Sequence, residues 1–121
     1  LELIDVHVDP GARFDSLRAG DRELVEVGKA LAAEPRVLIL DESTSRLGES
    51  DVARLFGVLR GLRERGTSII LITHRLPEIV ELADRAVVLH NGRIVESGRP
   101  ADLIRAGGPF AALFADEVVA A

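Results

Sequence analysis

The sequence feature that most constrains the fold is a run of four branched apolar residues, Val37–Leu40, which two acids, Asp41 and Glu42, follow at once. The run is too short for a helix and too uniformly apolar for a strand with one solvated face. It therefore predicts a strand buried on both faces, as in a parallel sheet. Ligands bind at the C-terminal ends of such strands, where adjacent carboxylates repel each other unless a cation or a proton lies between them. The pair indicates a divalent metal with bound phosphates; the alternative is that both acids simply begin a solvated loop.

Helical and strand patterns alternate along the rest of the chain. Ser68–Ile72 is a second run of the buried-strand type, and Asn91-Gly92 is typical of a two-residue hairpin turn. The patterns predict helices over 21–33, 50–65, 77–83, 101–105 and 109–119, and strands over 37–40, 68–72, 85–89 and 93–96. Residues 1–8 fit either a short strand or the tail of a helix. This alternation predicts an α/β layer fold with parallel strands and an antiparallel hairpin at one edge.

Composition is that of a folded domain with an ordinary core. The chain has 121 residues, 47% of them hydrophobic, and we interpret the apolar stripe Phe110, Leu113, Phe114 and Val118 as part of that core. A net charge of −5 gives no electrostatic case for binding nucleic acid, and the absence of cysteine excludes disulfides and thiolate metal sites. No apolar run approaches the roughly 20 residues that cross a bilayer, so we expect a cytoplasmic protein. Because the first residue is Leu1, we also expect a fragment or a trimmed chain.

A histidine follows the second buried strand, so that both strands carry polar groups to the same edge of the predicted sheet. Asp41 is suited to hold Mg²⁺ through water, Glu42 to orient or deprotonate an attacking water, and His74 to donate a hydrogen bond to a terminal phosphate oxygen. The alternative for His74 is an ordinary loop histidine. His7 and His90 have no acidic neighbours of this kind, and we interpret them as surface residues.

These residues resemble the motifs of ATP-binding cassette (ABC) ATPases, which belong to the P-loop NTPases with a RecA-like fold. The segment Leu38–Ser45 resembles the Walker B strand and its loop, and Thr73-His74-Arg75 resembles the switch-histidine segment. Ala83-Asp84-Arg85 and Asn91-Gly92-Arg93 resemble the tail of the same fold. The resemblance extends from about residue 16 to residue 98, with the motifs in family order. Residues 48–56 and 74–78 are most similar to the ATPases of bacterial monosaccharide importers.

The chain departs from the family pattern at the phosphate-binding loop and at the signature motif. The glycine-rich phosphate-binding loop that ends in Lys-Ser/Thr is absent, since the single lysine, Lys29, lies within a predicted helix. The signature motif, Leu-Ser-Gly-Gly-Gln in the family, aligns with Leu17, Arg18, Ala19, Gly20 and Asp21. Leu17 and Gly20 match the family. Asp21 puts a negative charge where the resemblance implies a phosphate, while Arg18 is a candidate compensating ligand.

The resemblance implies the C-terminal part of one ABC ATP-binding domain, with the phosphate-binding-loop half absent. Its parts would be a signature helix at 17–34, a core with Walker B and the switch histidine at 36–98, and C-terminal helices at 100–121. The implied cofactors are ATP and Mg²⁺, and the implied partners are a second nucleotide-binding domain and transmembrane permease subunits at the inner face of the membrane. The alternatives are a non-catalytic regulatory or interaction domain, and a soluble ABC protein that acts on ribosomes or DNA.

Overall fold

The computed structural model describes residues 8–120 and contains two units, whose boundary falls between Ile72 and Thr73. Unit 1 contains a 3₁₀ turn (Phe14–Ser16), α1 (Ala19–Ala32), β1 (Val37–Asp41), α2 (Glu49–Glu64) and β2 (Ser68–Ile72). Unit 2 contains α3 (Leu76–Leu82), β3 (Ala86–His90), β4 (Arg93–Gly98), α4 (Pro100–Ala106) and α5 (Pro109–Ala120). Every element predicted between residues 21 and 119 is therefore confirmed, with ends within two residues. The predicted element at 1–8 lies outside the described residues, apart from Val8.

The helices of unit 1 form where apolar side chains recur every three or four residues. The buried positions are Leu24, Val27 and Leu31 in α1, and Leu55, Phe56 and Leu59 in α2. Gly66 has a φ of 90° and follows the last residues of α2, where a left-handed glycine accommodates the reversal of the chain at low steric cost. The amide of Thr67 then donates to the carbonyl of Leu62 at 3.0 Å. This turn leads directly into β2.

Strands β1 and β2 pair in parallel, with Ile39 opposite Ile70 and Asp41 opposite Ile72. Leu38 and Leu40 are buried, but Ile39 is 61% exposed and Ile70 is 50% exposed. The prediction that both strands are buried on both faces was therefore wrong for this chain. The physical reason is that the described part of unit 1 covers one face of the pair and leaves the alternate side chains open, since successive strand residues point to opposite faces.

This open face makes association of the isolated chain a testable prediction. Replacing both Ile39 and Ile70 by threonine should remove on the order of 1 kcal/mol of apolar contact at each position. Together the changes should raise the dissociation constant for self-association by at least about tenfold, as measured by sedimentation velocity. As the control, Leu40→Ala, on the buried face, should cost about 2–5 kcal/mol of stability without favouring the monomer. A monomeric unchanged chain with a sharp thermal transition would contradict the prediction.

Strands β3 and β4 form an antiparallel hairpin, and these two strands are a sheet of their own. Asn91 and Gly92 both have positive φ, 49° and 73°, as the two central residues of a tight hairpin turn of type I′ require. The predicted hairpin is thus confirmed. Its register shifts between Val88 and Leu89.

The core of unit 2 is formed by residues of α3, β3, α4 and α5. Its buried members are Leu76, Ala86, Leu103 and Phe110, and Ile79, Val88, Ile104 and Phe114 pack against them. The core prediction for the stripe on α5 was only half right, because Leu113 is 49% exposed and Val118 is 52% exposed. At 3.6 residues per turn these two lie on either side of the line through Phe110 and Phe114, so they flank the contact rather than enter it. None of the helices between residues 8 and 120 has the length and hydropathy to cross a membrane.

Candidate functional site

The two predicted acids lie at the C-terminal end of β1. Asp41 is the last residue of the strand and is exposed, on the same face as Ile39. The backbone amide of Glu42 donates to the carbonyl of Ile72 at 2.9 Å, which extends the pairing with β2 by one residue. Glu42 itself has a φ of 53°, a left-handed conformation that costs a non-glycine residue on the order of 1–3 kcal/mol and is found preferentially at functional sites.

The turn after Glu42 fixes this conformation. The amide and the hydroxyl of Ser45 both donate to the carbonyl of Glu42, at 3.2 Å and 2.8 Å, and the amide of Leu47 donates to the carbonyl of Thr44 at 3.1 Å. Ser43 and Thr44 are buried, although both side chains are polar. The apolar Leu47, which is also buried, was the only local sequence signal that this turn packs against the core.

The acids suit a magnesium ion that is shared with a bound phosphate. Among residues 8–120 no group of three histidine, cysteine or acidic side chains is arranged to hold a metal ion by itself. Mg²⁺ does not need such a cage, because it keeps several waters and is typically held by one or two carboxylates together with substrate phosphates. Asp41 is exposed and has the oxygen chemistry of such a site, and its predicted role in holding Mg²⁺ through water stays a prediction.

Leu17–Asp21, here called the signature segment because it resembles the signature motif, lies at the start of α1. Arg18 is the N-cap residue, and its guanidinium donates to both carboxylate oxygens of Asp21, at 2.8 Å and 2.9 Å. The Arg18 guanidinium holds the pKa of the Asp21 carboxyl below its ordinary value, and Asp21 raises the pKa of Arg18. The opposite charges of Arg18 and Asp21 therefore form a bidentate ion pair. Leu17 immediately precedes it, with its carbonyl accepting a hydrogen bond from Arg22 at 2.9 Å.

Ala19 and Gly20 form the first turn of α1. Ala19 is exposed, and Gly20 is half-buried near Leu47 and the Asp51 carboxylate. A methyl group added at Gly20 would lie 3.5 Å from that carboxylate and 3.6 Å from Leu47, which are ordinary contact distances. The packing of this chain alone does not require a glycine at that position.

His74 is exposed and is the second residue of unit 2. It lies in the irregular segment between β2 and α3, so its predicted place opposite Asp41 and Glu42 stays a prediction. The structure adds one residue that sequence reasoning missed, the buried Glu78, which contacts the residues on both sides of His74. Its sequence signal was an acid in the first turn of a helix four positions after the histidine. His90 is exposed at the end of β3, as predicted, and His7 lies outside the described residues.

The fold of this chain is similar to that of a solved ABC transporter structure. A bacterial Atm1-family ABC exporter with ATP bound superposes with a TM-score of 0.81 and 26% identity, over 97% of this chain and 21% of that chain. No protein-family model matches the chain. The fold and the relatives described next are those of ABC ATP-binding proteins.

Within that class, the chain is similar to sugar-import ATP-binding proteins. It is 36% identical to the ribose import ATP-binding protein RbsA of Chelativorans sp. (strain BNC1), over 97% of this chain. It is 50% identical to RbsA 1 of Mesorhizobium japonicum over 77% of this chain, and 41% identical to the arabinose import ATP-binding protein AraG of Azospirillum brasilense over 80% of this chain. The matched regions cover 24%, 18% and 19% of these three relatives, so the chain spans about a fifth of their length. The resemblance to ABC ATPases of sugar importers is thereby confirmed.

Proposed function

We propose that this chain is the C-terminal part of an ABC ATP-binding domain and that, in the complete protein, it takes part in ATP hydrolysis coupled to sugar import. The observation that carries the proposal is the acidic pair at the end of β1, with Glu42 held in a left-handed conformation in a chain related to import ATPases. In this proposal, 17–34 is the signature helix, 36–98 the core with Walker B and the switch histidine, and 100–121 the C-terminal helices.

Each polar residue then has a separate role. Asp41 accepts hydrogen bonds from the water shell of a Mg²⁺ ion, which when bound neutralises charge on the phosphates. Glu42 orients the attacking water and takes its proton. His74 donates a hydrogen bond to the terminal phosphate oxygen, where negative charge develops. Leu17–Asp21 contributes the amides at the start of α1 to ATP held by a second nucleotide-binding domain.

The proposed partners are that second nucleotide-binding domain and the permease subunits of an importer. They would hold the protein peripherally at the inner face of the membrane. The formal net charge of −5 offers no long-range attraction to nucleic acid, which argues against an action on ribosomes or DNA.

Calorimetry with magnesium–ATP tests the proposal. The 121-residue chain alone should show no micromolar binding, because the phosphate-binding loop and its lysine are not in this sequence. The complete protein that carries the chain should bind ATP and, with its permease in proteoliposomes, couple hydrolysis to sugar uptake. Micromolar binding by the chain alone would refute the proposal that ATP binding needs a phosphate-binding loop from outside this sequence. Binding without hydrolysis in the complete protein would favour a non-catalytic domain.

A further inference from the structure

The segment 73–76, which carries His74, is held in place by two acids. Residues 73–75 lie between β2 and α3 and belong to neither a helix nor a strand, and Leu76 is the first residue of α3. Irregular segments without ladder hydrogen bonds keep one geometry only when side chains fix them. We infer that Glu78 and Glu117 are positioning residues, which hold the backbone on both sides of His74 for its role in ATP hydrolysis. This inference rests on the proposed function.

Glu78 holds the segment from within α3. Its carboxylate accepts a hydrogen bond from the Thr73 hydroxyl at 3.3 Å and lies 3.1 Å from the Arg75 guanidinium. The Thr73 hydroxyl in turn accepts from the amide of Arg75 at 3.0 Å, which closes a turn around His74. Because Glu78 is only 5% exposed and a buried charge is costly unless it is paired, the carboxylate favours the conformation that keeps Thr73 and Arg75 beside it.

Glu117 holds the segment from α5. Its carboxylate accepts a hydrogen bond from the amide of Leu76 at 2.7 Å, a short, charge-assisted contact. Leu76 is the first residue of α3, and its amide has no acceptor within the helix. The start of α5 is itself fixed, because the amide of Phe110 donates to the Glu96 carboxylate of β4 at 2.7 Å. The hairpin, α5 and the histidine segment therefore form one connected set of contacts within unit 2.

Substitution of Glu117 in the complete protein tests the inference. Glu117→Leu removes the acceptor, so amide hydrogen exchange at Leu76 should accelerate by about tenfold, the scale of one charge-assisted hydrogen bond. We expect kcat for ATP hydrolysis to fall about tenfold as residues 73–76 become less well held. KM for ATP should change less than about twofold, because the substitution does not alter contacts that bind ATP equally in the ground state and in the transition state. Glu117→Gln keeps an oxygen acceptor and should restore both the slow exchange and most of kcat. Asp116→Leu, an equivalent change at the neighbouring exposed residue, should alter neither.

The Thr73 hydroxyl provides a second test without a change in net charge. Thr73→Val keeps the shape of the side chain and loses both hydrogen bonds, whereas Thr73→Ser keeps them. Valine should speed exchange at the Arg75 amide and lower kcat, and serine should do neither.

Faster exchange with an unchanged kcat, or unchanged exchange in both Glu117→Leu and Thr73→Val, would overturn the positioning role while hydrolysis by the unchanged protein leaves the proposed function intact. Absence of hydrolysis in the unchanged protein, with permease present, would instead refute the proposed function and with it the catalytic meaning of these contacts.

Discussion

Glu42→Gln in the complete protein should stop ATP hydrolysis while leaving ATP binding intact. The amide has the shape of the carboxylate and tolerates the same backbone, whose φ is 53°, but it cannot accept the proton of an attacking water. General-base catalysis contributes on the order of 10²–10⁴-fold, so the hydrolysis rate should fall by that factor. Phosphate release and nucleotide binding, measured on the same preparation, separate the two effects.

Asp41→Asn should instead act first on magnesium-dependent binding of ATP. The neutral amide is a weaker partner for Mg²⁺ and its water shell. The affinity for ATP in the presence of Mg²⁺ should therefore fall. Glu64→Gln, at the exposed last residue of α2, makes the same chemical change as Glu42→Gln away from the site and should leave both quantities unchanged. Near-normal hydrolysis in both the Glu42 and Asp41 variants would show that the catalytic assignment is wrong.

The position of this acidic pair was predictable because it depends on local sequence. A short apolar run followed by acids defines a strand and its end, and Asn91-Gly92 defines a hairpin through the two positive φ angles that it tolerates. These features need no knowledge of which elements meet in space. The same local rules explain why the helices and strands were found within two residues of their predicted ends.

Features that depend on spatial neighbours were not predictable in this way. Ile39 lies in an apolar run that is typical of a strand buried in a parallel sheet, but its exposure depends on whether another element covers that face. Glu78 reads as a solvated helix residue, and only the packing of unit 2 shows it to be buried beside Thr73 and Arg75. The contact of Glu117 with Leu76 spans 41 residues, a separation that no periodicity reports.

The signature segment depends both on local sequence and on contacts that only the structure shows. Arg18 and Asp21 are three residues apart, a spacing at which helical side chains meet, so their pairing was accessible to sequence reasoning. Comparison with the family motif alone predicts two separate effects, in which Asp21 repels a phosphate and Arg18 binds it. Their bidentate pair, with both N–O distances below 3 Å, means that a phosphate approaching the start of α1 competes with Asp21 for the guanidinium.

This pair leads to the second large prediction. ABC ATPases resembling this chain close head to tail, so Leu17–Asp21 would complete the site of the partner domain rather than the site that Glu42 serves. Losing a close donor to developing negative charge costs on the order of 10²–10³ in rate. We therefore expect two unequal sites if the partner carries an intact signature, the slower being the one that Leu17–Asp21 completes. Single-turnover hydrolysis in the full assembly would resolve them as two phases.

Substitutions within the pair should change the slow phase in opposite directions. Asp21→Gln removes the competing carboxylate and releases the guanidinium, so it should accelerate the slow phase. Arg18→Ser leaves the Asp21 charge uncompensated beside the phosphate and should retard it. The triple change Arg18→Ser, Ala19→Gly and Asp21→Gln restores the family motif and should also accelerate it, whereas a slower triple variant would show that Arg18 is a working phosphate ligand in a rebuilt motif.

The chain provides its own control for these substitutions. Arg13 and Asp15 form another bidentate pair, at 3.1 Å and 2.8 Å. Arg13 is the N-cap of the 3₁₀ turn just before the signature segment, and Asp15 lies within that turn. As at Asp21, the arginine lowers the pKa of its partner carboxylate, so the charge chemistry is matched while the proposed phosphate site is not involved. Arg13→Ser and Asp15→Gln should therefore leave both phases unchanged. Equal effects at the two pairs would show that the response reflects the overall charge of this end of the chain, and not a phosphate bound at the start of α1.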